Sequence, residues 1–343
     1  MKKTNKTTNP GASKKLFSVI ILLIASVIWG LAFSAQKDAG ELGGFTVGAS
    51  RNLFAVLFLM PIIPLMDRLT KNGRGRKKSP SEEGNTEHCE GEHALTSEAS
   101  MSKKKENLFT KEELIGGTIA GFFMTFATAL QQNGIGDGTD AGKAGFITAL
   151  YVVIVPIYAL FFGKKSPARV WISVGIAVLG FYLLSVKTDF SIVPSDLLIL
   201  LCAFVFGGQI MTIDLFAPRC DGFRLSFIQF ASAFIFNLAC ALIFESPIAF
   251  GLIGDHILSL LFLGVFSSGI AYTFQVLGQR NLNPGVASIL LSLESVFGAI
   301  GGALIFDESM SPREILGSAI VFMAVVLSQI EFPKNTKKLK NEN

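Results

Sequence analysis

Charge is what this sequence has least of. Asp, Glu, Lys and Arg make up 16% of its 343 residues, half the chain is hydrophobic, and mean hydropathy is positive. That balance excludes an ordinary soluble domain of this length. Cysteine is scarce as well. Cys89, Cys202, Cys220 and Cys240 show no paired spacing, and two of them sit inside apolar runs, which argues against a disulfide framework. The three histidines all lie outside the apolar runs, and there is no HExxH. An intramembrane enzyme would need a nucleophile with a base, or a cluster of metal ligands, within those runs. No cofactor is expected. The net charge of +4 comes from loops and tails and makes no case for nucleic acid.

What the chain has instead is ten apolar segments, at roughly 16–36, 45–66, 114–132, 142–162, 170–186, 196–214, 223–244, 257–278, 285–306 and 314–331. A helix needs about 20 mostly apolar residues to cross a bilayer's hydrocarbon core. The expectation is an all-α polytopic membrane protein of ten transmembrane helices. Five segments per half is an odd number, so a tandem copy must insert upside down relative to the first. Inverted repeats belong to carriers that open alternately to the two sides of a membrane. The expected units are a basic tail at 1–15, a first repeat at 16–187, a second at 196–331 and a basic tail at 332–343. The apolar run after Lys2, Lys3, Lys6, Lys14 and Lys15 is about 20 residues long without a small-residue cleavage site, and reads as an uncleaved first helix.

Lys and Arg of short loops stay on the cytoplasmic side. With the N-terminus inside, the inside loops collect Arg68 to Lys78, Lys103 to Lys111, Lys164, Lys165, Arg169, Arg219, Arg224, Arg280 and the Lys-rich tail. The opposite loops hold little beyond Lys37, Lys143, Lys187 and Arg313. Both termini are therefore expected in the cytoplasm, and the protein in a plasma (inner) membrane. The polar loop at about 72–107 should be disordered. Its centre, Glu87 to His93, carries His88, Cys89 and His93, but the spacing fits no closed zinc site, so a solvated linker is the better reading. Its flanking lysines suit anionic lipid headgroups.

The halves align by pattern. Ala144-Gly145-Phe146-Ile147-Thr148-Ala149-Leu150-Tyr151 matches Ala287-Ser288-Ile289-Leu290-Leu291-Ser292-Leu293-Glu294, and a Pro follows each run, Pro167 and Pro312. Trp29-Gly30 matches Gly207-Gly208, and Thr125, Thr128 and Gln132 match Tyr272, Gln275 and Gln279. The order and flavour of the segments resemble the drug/metabolite transporter superfamily, in its ten-helix EamA-type branch. The resemblance rests on Ile28-Trp29-Gly30 with Phe33, on Ala49-Ser50-Arg51-Asn52-Leu53, and on the runs from Ala141 to Tyr151 and from Ala287 to Phe297. It covers nearly everything outside the 67–113 loop and the tails. Two features depart from it: Ser295 stands where members commonly have Pro after the ninth-segment Glu, and the loop is long. The resemblance implies export of a small metabolite, an amino acid or an amphipathic drug.

Two full charges fall within apolar spans, Arg51 and Glu294. A mid-membrane charge costs about 2.5–3.5 kcal/mol on insertion scales, so such residues face a bundle interior or a wet cavity. Glu294 shares its face with Gly298, Gly301 and Gly302. It can bind a cationic group or carry a proton, or it can serve as a hydrogen-bonded structural residue. Arg51, about two turns deep, can snorkel to the headgroups or fork a substrate carboxylate. Lys143 reads as an interface anchor. Segment eight carries Ser268, Tyr272, Gln275 and Gln279 on one face, and segment three carries Thr125, Thr128 and Gln132. Segment four adds Tyr151 and Tyr158, and segment one adds Trp29, Phe33 and Gln36. As a set these suit a cavity for a small organic solute; singly, each also reads as an interhelical hydrogen bond. Pro156 can kink the fourth segment, whereas its counterpart in the ninth is Ala299, so the halves need not bend alike. The expected partners are a small-molecule substrate and membrane lipids, with a proton and a homodimeric second copy left open. A passive facilitator or exchanger is the nearest alternative, and a non-transporting sensor using the long loop is a more distant one.

Overall fold

The computed structural model describes residues 10–75, 108–139, 141–185, 193–248, 250–305 and 311–330. His88, Cys89, His93, Lys187, residues 1–9 and the tail at 332–343 lie outside them, whereas residues 10–15 of the expected first tail belong to the opening helix. Of the expected loop, residues 72–75 continue a helix and 76–107 fall outside the described residues. Among the described residues there is no strand. The helices are α1 (Pro10–Asp38), α2 (Gly44–Gly75), α3 (Lys111–Gly136), α4 (Ala141–Ala149), α5 (Tyr151–Phe161), α6 (Ala168–Ser185) and α7 (Pro194–Phe216). They continue with α8 (Gly222–Phe244), α9 (Phe250–Asp255), α10 (Ile257–Leu261), α11 (Thr273–Gln279), α12 (Pro284–Leu291), α13 (Glu294–Ile305) and α14 (Pro312–Gln329). Nine spans among the described residues are long and apolar enough to cross a membrane, and Ala168–Leu183 is a shorter apolar helix. The molecule is thus a polytopic all-α membrane fold. Its exposed side chains are apolar ones such as Leu258 and Phe244, while Arg51, Glu294, Gln209 and Asn237 are buried, the reverse of a soluble protein.

Local chemistry sets the helix ends. Thr110 and Glu113 form a capping box at α3, and the second oxygen of the Glu113 carboxylate accepts from the Asp221 amide at the start of α8. Ser311 and Glu314 do the same at α14, and Asp221 and Asn283 cap α8 and α12. The Glu245 carboxylate, just past α8, accepts from the amides of Phe45 and Thr46 (2.8 and 2.7 Å) and from the Thr46 hydroxyl. The first turn of α2 is thereby capped from another helix.

Both the fourth and ninth spans are interrupted, at matching places. Between α4 and α5 the amide of Leu150 bonds to Ile147 O and that of Val153 to Leu150 O. Between α12 and α13 the amide of Leu293 bonds to Leu290 O and that of Ser295 to Ser292 O. These i→i+3 bonds tighten one turn and re-aim the helix. Pro156 lies inside α5, beyond the interruption. The ninth span has no proline at the matching position and tightens all the same, so the tightening does not depend on Pro156. The eighth span changes the other way. Phe262–Tyr272 is π-helical, a wider turn between α10 and α11.

Packing is tightest where glycines remove bulk. A Cβ at Gly30 of α1 would come within 2.8 Å of backbone atoms of Glu294, Phe297 and Gly298 in α13. Gly117 and Gly121 of α3 meet Ile228 and the Gln229 carbonyl of α8 in the same manner. The larger contacts pair α3 with α7 and α8, α2 with α8, and α6 with α14. Others set α1 against α11, α13 and the π-helical segment, and α4 and α5 against α7.

Candidate functional site

These helices leave a partly enclosed cavity in the middle of the bundle. Trp29, Ala32, Phe33 and Gln36 reach it from α1, Arg51 from α2, Gln131 from α3 and Tyr151 from α5. Phe206, Gln209 and Ile210 of α7, Ser267 and Tyr272 of the π-helical segment, Gln275 of α11 and Glu294 of α13 complete the wall. The two interruptions matter here. Tyr151 and Glu294 each open a half-helix, and the Tyr151 hydroxyl donates to Glu294 Oε1 at 3.2 Å.

Arg51 is 2% exposed and turns inward, which corrects the snorkelling reading. Its Nε donates to Ser268 Oγ at 3.0 Å and its Nη2 to Ser267 Oγ at 2.9 Å. Two consecutive serines serve one guanidinium, an arrangement the wider π turn favours by bringing neighbours toward one face. The backbone carbonyl of Ser267 accepts from Trp29 Nε1 (3.0 Å), and the indole packs on the Tyr272 ring with centroids 4.5 Å apart. Glu294 is 6% exposed, and its hydrogen-bond partner is the Tyr151 phenol. Arg51 and Glu294 form no ion pair with each other or with any other described residue.

Two amide clusters border the cavity. In one, Gln36 Nε2 donates to Gln131 Oε1 (3.0 Å) and Gln131 Nε2 to Thr148 Oγ1 (3.1 Å), tying α1, α3 and α4. In the other, Gln275 Nε2 donates to Gln209 Oε1 (3.0 Å), and Gln209 Nε2 reaches Gln229 and Gln275, tying α11, α7 and α8. They lie toward opposite ends. Along α1, Leu22 meets Gly278 of α11 and Trp29 meets Ser267 and Tyr272, so Gln275 lies at a level between Leu22 and Trp29. Gln36 stands about two helical turns beyond Trp29, on the far side.

Six of the eight expected site residues thus meet in one cavity: Trp29, Arg51, Tyr151, Tyr272, Gln275 and Glu294. Thr125 and Thr128 do not line it. Their hydroxyls bond back to the Gly121 and Met124 carbonyls, and Thr125 also meets Asn237 of α8. Gln132 bonds to the Gln36 and Ala39 carbonyls, so its neighbour Gln131 is the α3 residue that faces the space. Lys143 is an ion-pair partner of Asp196 rather than a free anchor. Gln131, Gln209, Phe206, Ile210 and Ser267 are lining residues that sequence reasoning missed. An amide alone in a long apolar stretch was the available signal for Gln209. Among the described residues no group of His, Cys, Asp and Glu could hold a metal.

The fold is that of a multi-pass membrane protein with a cavity inside its bundle. An EamA-like transporter family model matches residues 193–329. An "Uncharacterized transporter" of Archaeoglobus fulgidus is 31% identical over 321 residues, covering 92% of this chain and 86% of that protein. The "Uncharacterized transporter YcxC" of Bacillus subtilis is 23% identical over 216 residues, 58% of this chain and 68% of its own. A protein of known crystal structure shares the fold, with a TM-score of 0.64 at 14% identity over 91% of this chain and 96% of that one. The chain belongs to the EamA-like transporter family.

Proposed function

We infer that this chain carries a small organic solute, a metabolite, amino acid or drug, across the plasma membrane by alternating access, with export favoured and both termini in the cytoplasm. The observation that carries the reading is a mid-bundle cavity bordered by separate amide clusters toward its two ends. Breaking one while keeping the other would open the solute site to one side at a time. The reading takes the chain as two inverted five-helix halves. Exchanging them turns the α3–α7 contact into the contact of α1 with the eighth span, and α1–α13 into α5–α7. Glu294, inward-facing and without a cationic partner, is suited to pick up and release a coupling proton.

The test compares solutes inside and outside cells expressing wild type and Glu294→Gln, followed by flux of any displaced solute in proteoliposomes. Under an imposed pH gradient the wild type should concentrate the solute, and Glu294→Gln should only equilibrate it. Accumulation unchanged in the variant sinks proton coupling. A wild type that ignores the gradient supports the passive facilitator or exchanger. No displaced solute in any medium moves weight to a sensor.

A further inference from the structure

The cavity holds two buried ionisable side chains of opposite charge type, Arg51 and Glu294, that form no ion pair with each other. Arg51 comes from α2 and is met by two serine hydroxyls; Glu294 comes from α13 and is met by one tyrosine hydroxyl. Hydroxyl dipoles do not cancel a formal charge. A buried charge without a counter-charge is costly, and two of opposite sign could have relieved that cost by pairing. They are instead held on different walls by separate partners. Tyr272, packed at a tilt against Trp29, lines the same cavity. The rest of the lining is apolar or amide: Phe33, Phe206 and Ile210, with Gln131, Gln209 and Gln275. Its formal charges are Arg51 and Glu294 alone.

Resting on the reading of this cavity as the solute site, we propose that it selects a zwitterion: one carboxylate received by Arg51, one ammonium received by Glu294, and an uncharged, largely apolar substituent between Phe33, Phe206 and Ile210. The guanidinium offers a planar fork to the carboxylate, and the serines hold that fork in place. The Glu294 oxygens accept from the ammonium, with the Tyr151 phenol fixing the rotamer of the carboxylate. A solute with one charge leaves the other charge of the cavity unmet. A solute with a third charge finds no partner among the lining side chains. Selection therefore comes from the unmatched charge as much as from the matched one.

Trp29 lies in the wall, and the other tryptophan is Trp171 of α6. A Trp171→Phe background makes the emission of Trp29 a binding signal for the full-length protein in detergent. The probes are leucine, isoamylamine (no carboxylate), 4-methylpentanoate (no ammonium) and leucinamide. Leucine should bind at least about tenfold more tightly than each analogue, the discrimination expected for one charged hydrogen-bonding group. Arg51→Gln should abolish the preference for leucine over isoamylamine while keeping its preference over 4-methylpentanoate, and Glu294→Gln should do the opposite. Arg51→Lys, which keeps the charge and loses the fork, should preserve the rank order at lower affinity and controls for misfolding. Equal binding of leucine and either single-charge analogue overturns the proposal. So does a response to an analogue but not to leucine, or silence from all four probes. Counterflow of labelled leucine in proteoliposomes tests the carrier reading separately: zwitterion-selective binding without flux overturns the carrier, and flux blind to one charge overturns the selection.

Discussion

At the scale of the residue, the glycines give the sharpest contrast. Gly30 and Gly175 both sit inside helices, yet an added methyl meets different surroundings. At Gly30 it runs into the backbone of α13 at under 3 Å, where no side chain can swing aside. Gly30→Ala must push α1 away from α13, an overpacking cost of about 1–3 kcal/mol. The expected result is a lower thermal midpoint in detergent, together with lost solute flux, because α1 and α13 carry Trp29 and Glu294. Gly175 has nothing within 4 Å of the same position. Gly175→Ala should be neutral or raise stability by up to about 1 kcal/mol through helix propensity. Equal behaviour of the two variants would refute this account of the α1–α13 seam. The same scale shows what was legible in the sequence. A charge in an apolar run announces a buried role, and so Arg51 and Glu294 could be picked out. Whether Arg51 pointed to headgroups or inward could not, since both fit a residue two turns deep; Ser267 and Ser268, more than two hundred residues away, decide it.

At the scale of the element, the helices were readable because a bilayer demands long apolar runs, but their interruptions were not. Leu150 and the pair Ser292-Leu293 carry no breaker signal, and Pro156 pointed to the wrong place. Helical period alone also left the α3 face ambiguous. It grouped Thr125, Thr128 and Gln132, whereas packing on α8 takes up Thr125 and leaves Gln131 at the cavity. The start of α2 offers an element-scale prediction. Its first-turn amides are satisfied by Glu245 from beyond α8, and a Cβ at Gly43 would collide with that carboxylate at 2.2–2.5 Å. Glu245→Ala should cost about 1–2 kcal/mol, the size of a lost helix cap. Gly43→Ala should produce a similar loss by displacing the same group. Because both act on one contact, the double variant should be little worse than either single one. Additive losses in thermal midpoint would show that the cap is not the shared cause.

At the scale of the whole molecule, the central helices can be grouped into two bodies, which also touch where α13 packs on α4 and α12 on α5. In the first, α7 is joined to the fourth span near both ends by ion pairs, Lys143 with Asp196 and Lys164 with Asp214, while α3 packs along α7. In the second, α1 is held against α13 through Gly30 and against the π-helical segment and α11. Both amide clusters cross the seam between these bodies: Gln36 of the second meets Gln131 of the first, and Gln275 of the second meets Gln209 of the first. Rocking one body on the other would pull open the cluster at one end and close the cluster at the other. A cross-link over the seam should therefore stop transport, and one within a body should not. In a background with Cys89, Cys202, Cys220 and Cys240 replaced, the cysteine pairs Gln36→Cys/Gln131→Cys and Gln209→Cys/Gln275→Cys should each lose flux on oxidation and recover it on reduction. Lys143→Cys/Asp196→Cys, inside the first body, should transport equally in both states. Each variant is its own control, so any loss of solute contacts from the substitutions themselves cancels. Flux that survives a verified seam cross-link would rule out rocking between these bodies and leave motion confined to the tightened turns at Leu150 and Leu293.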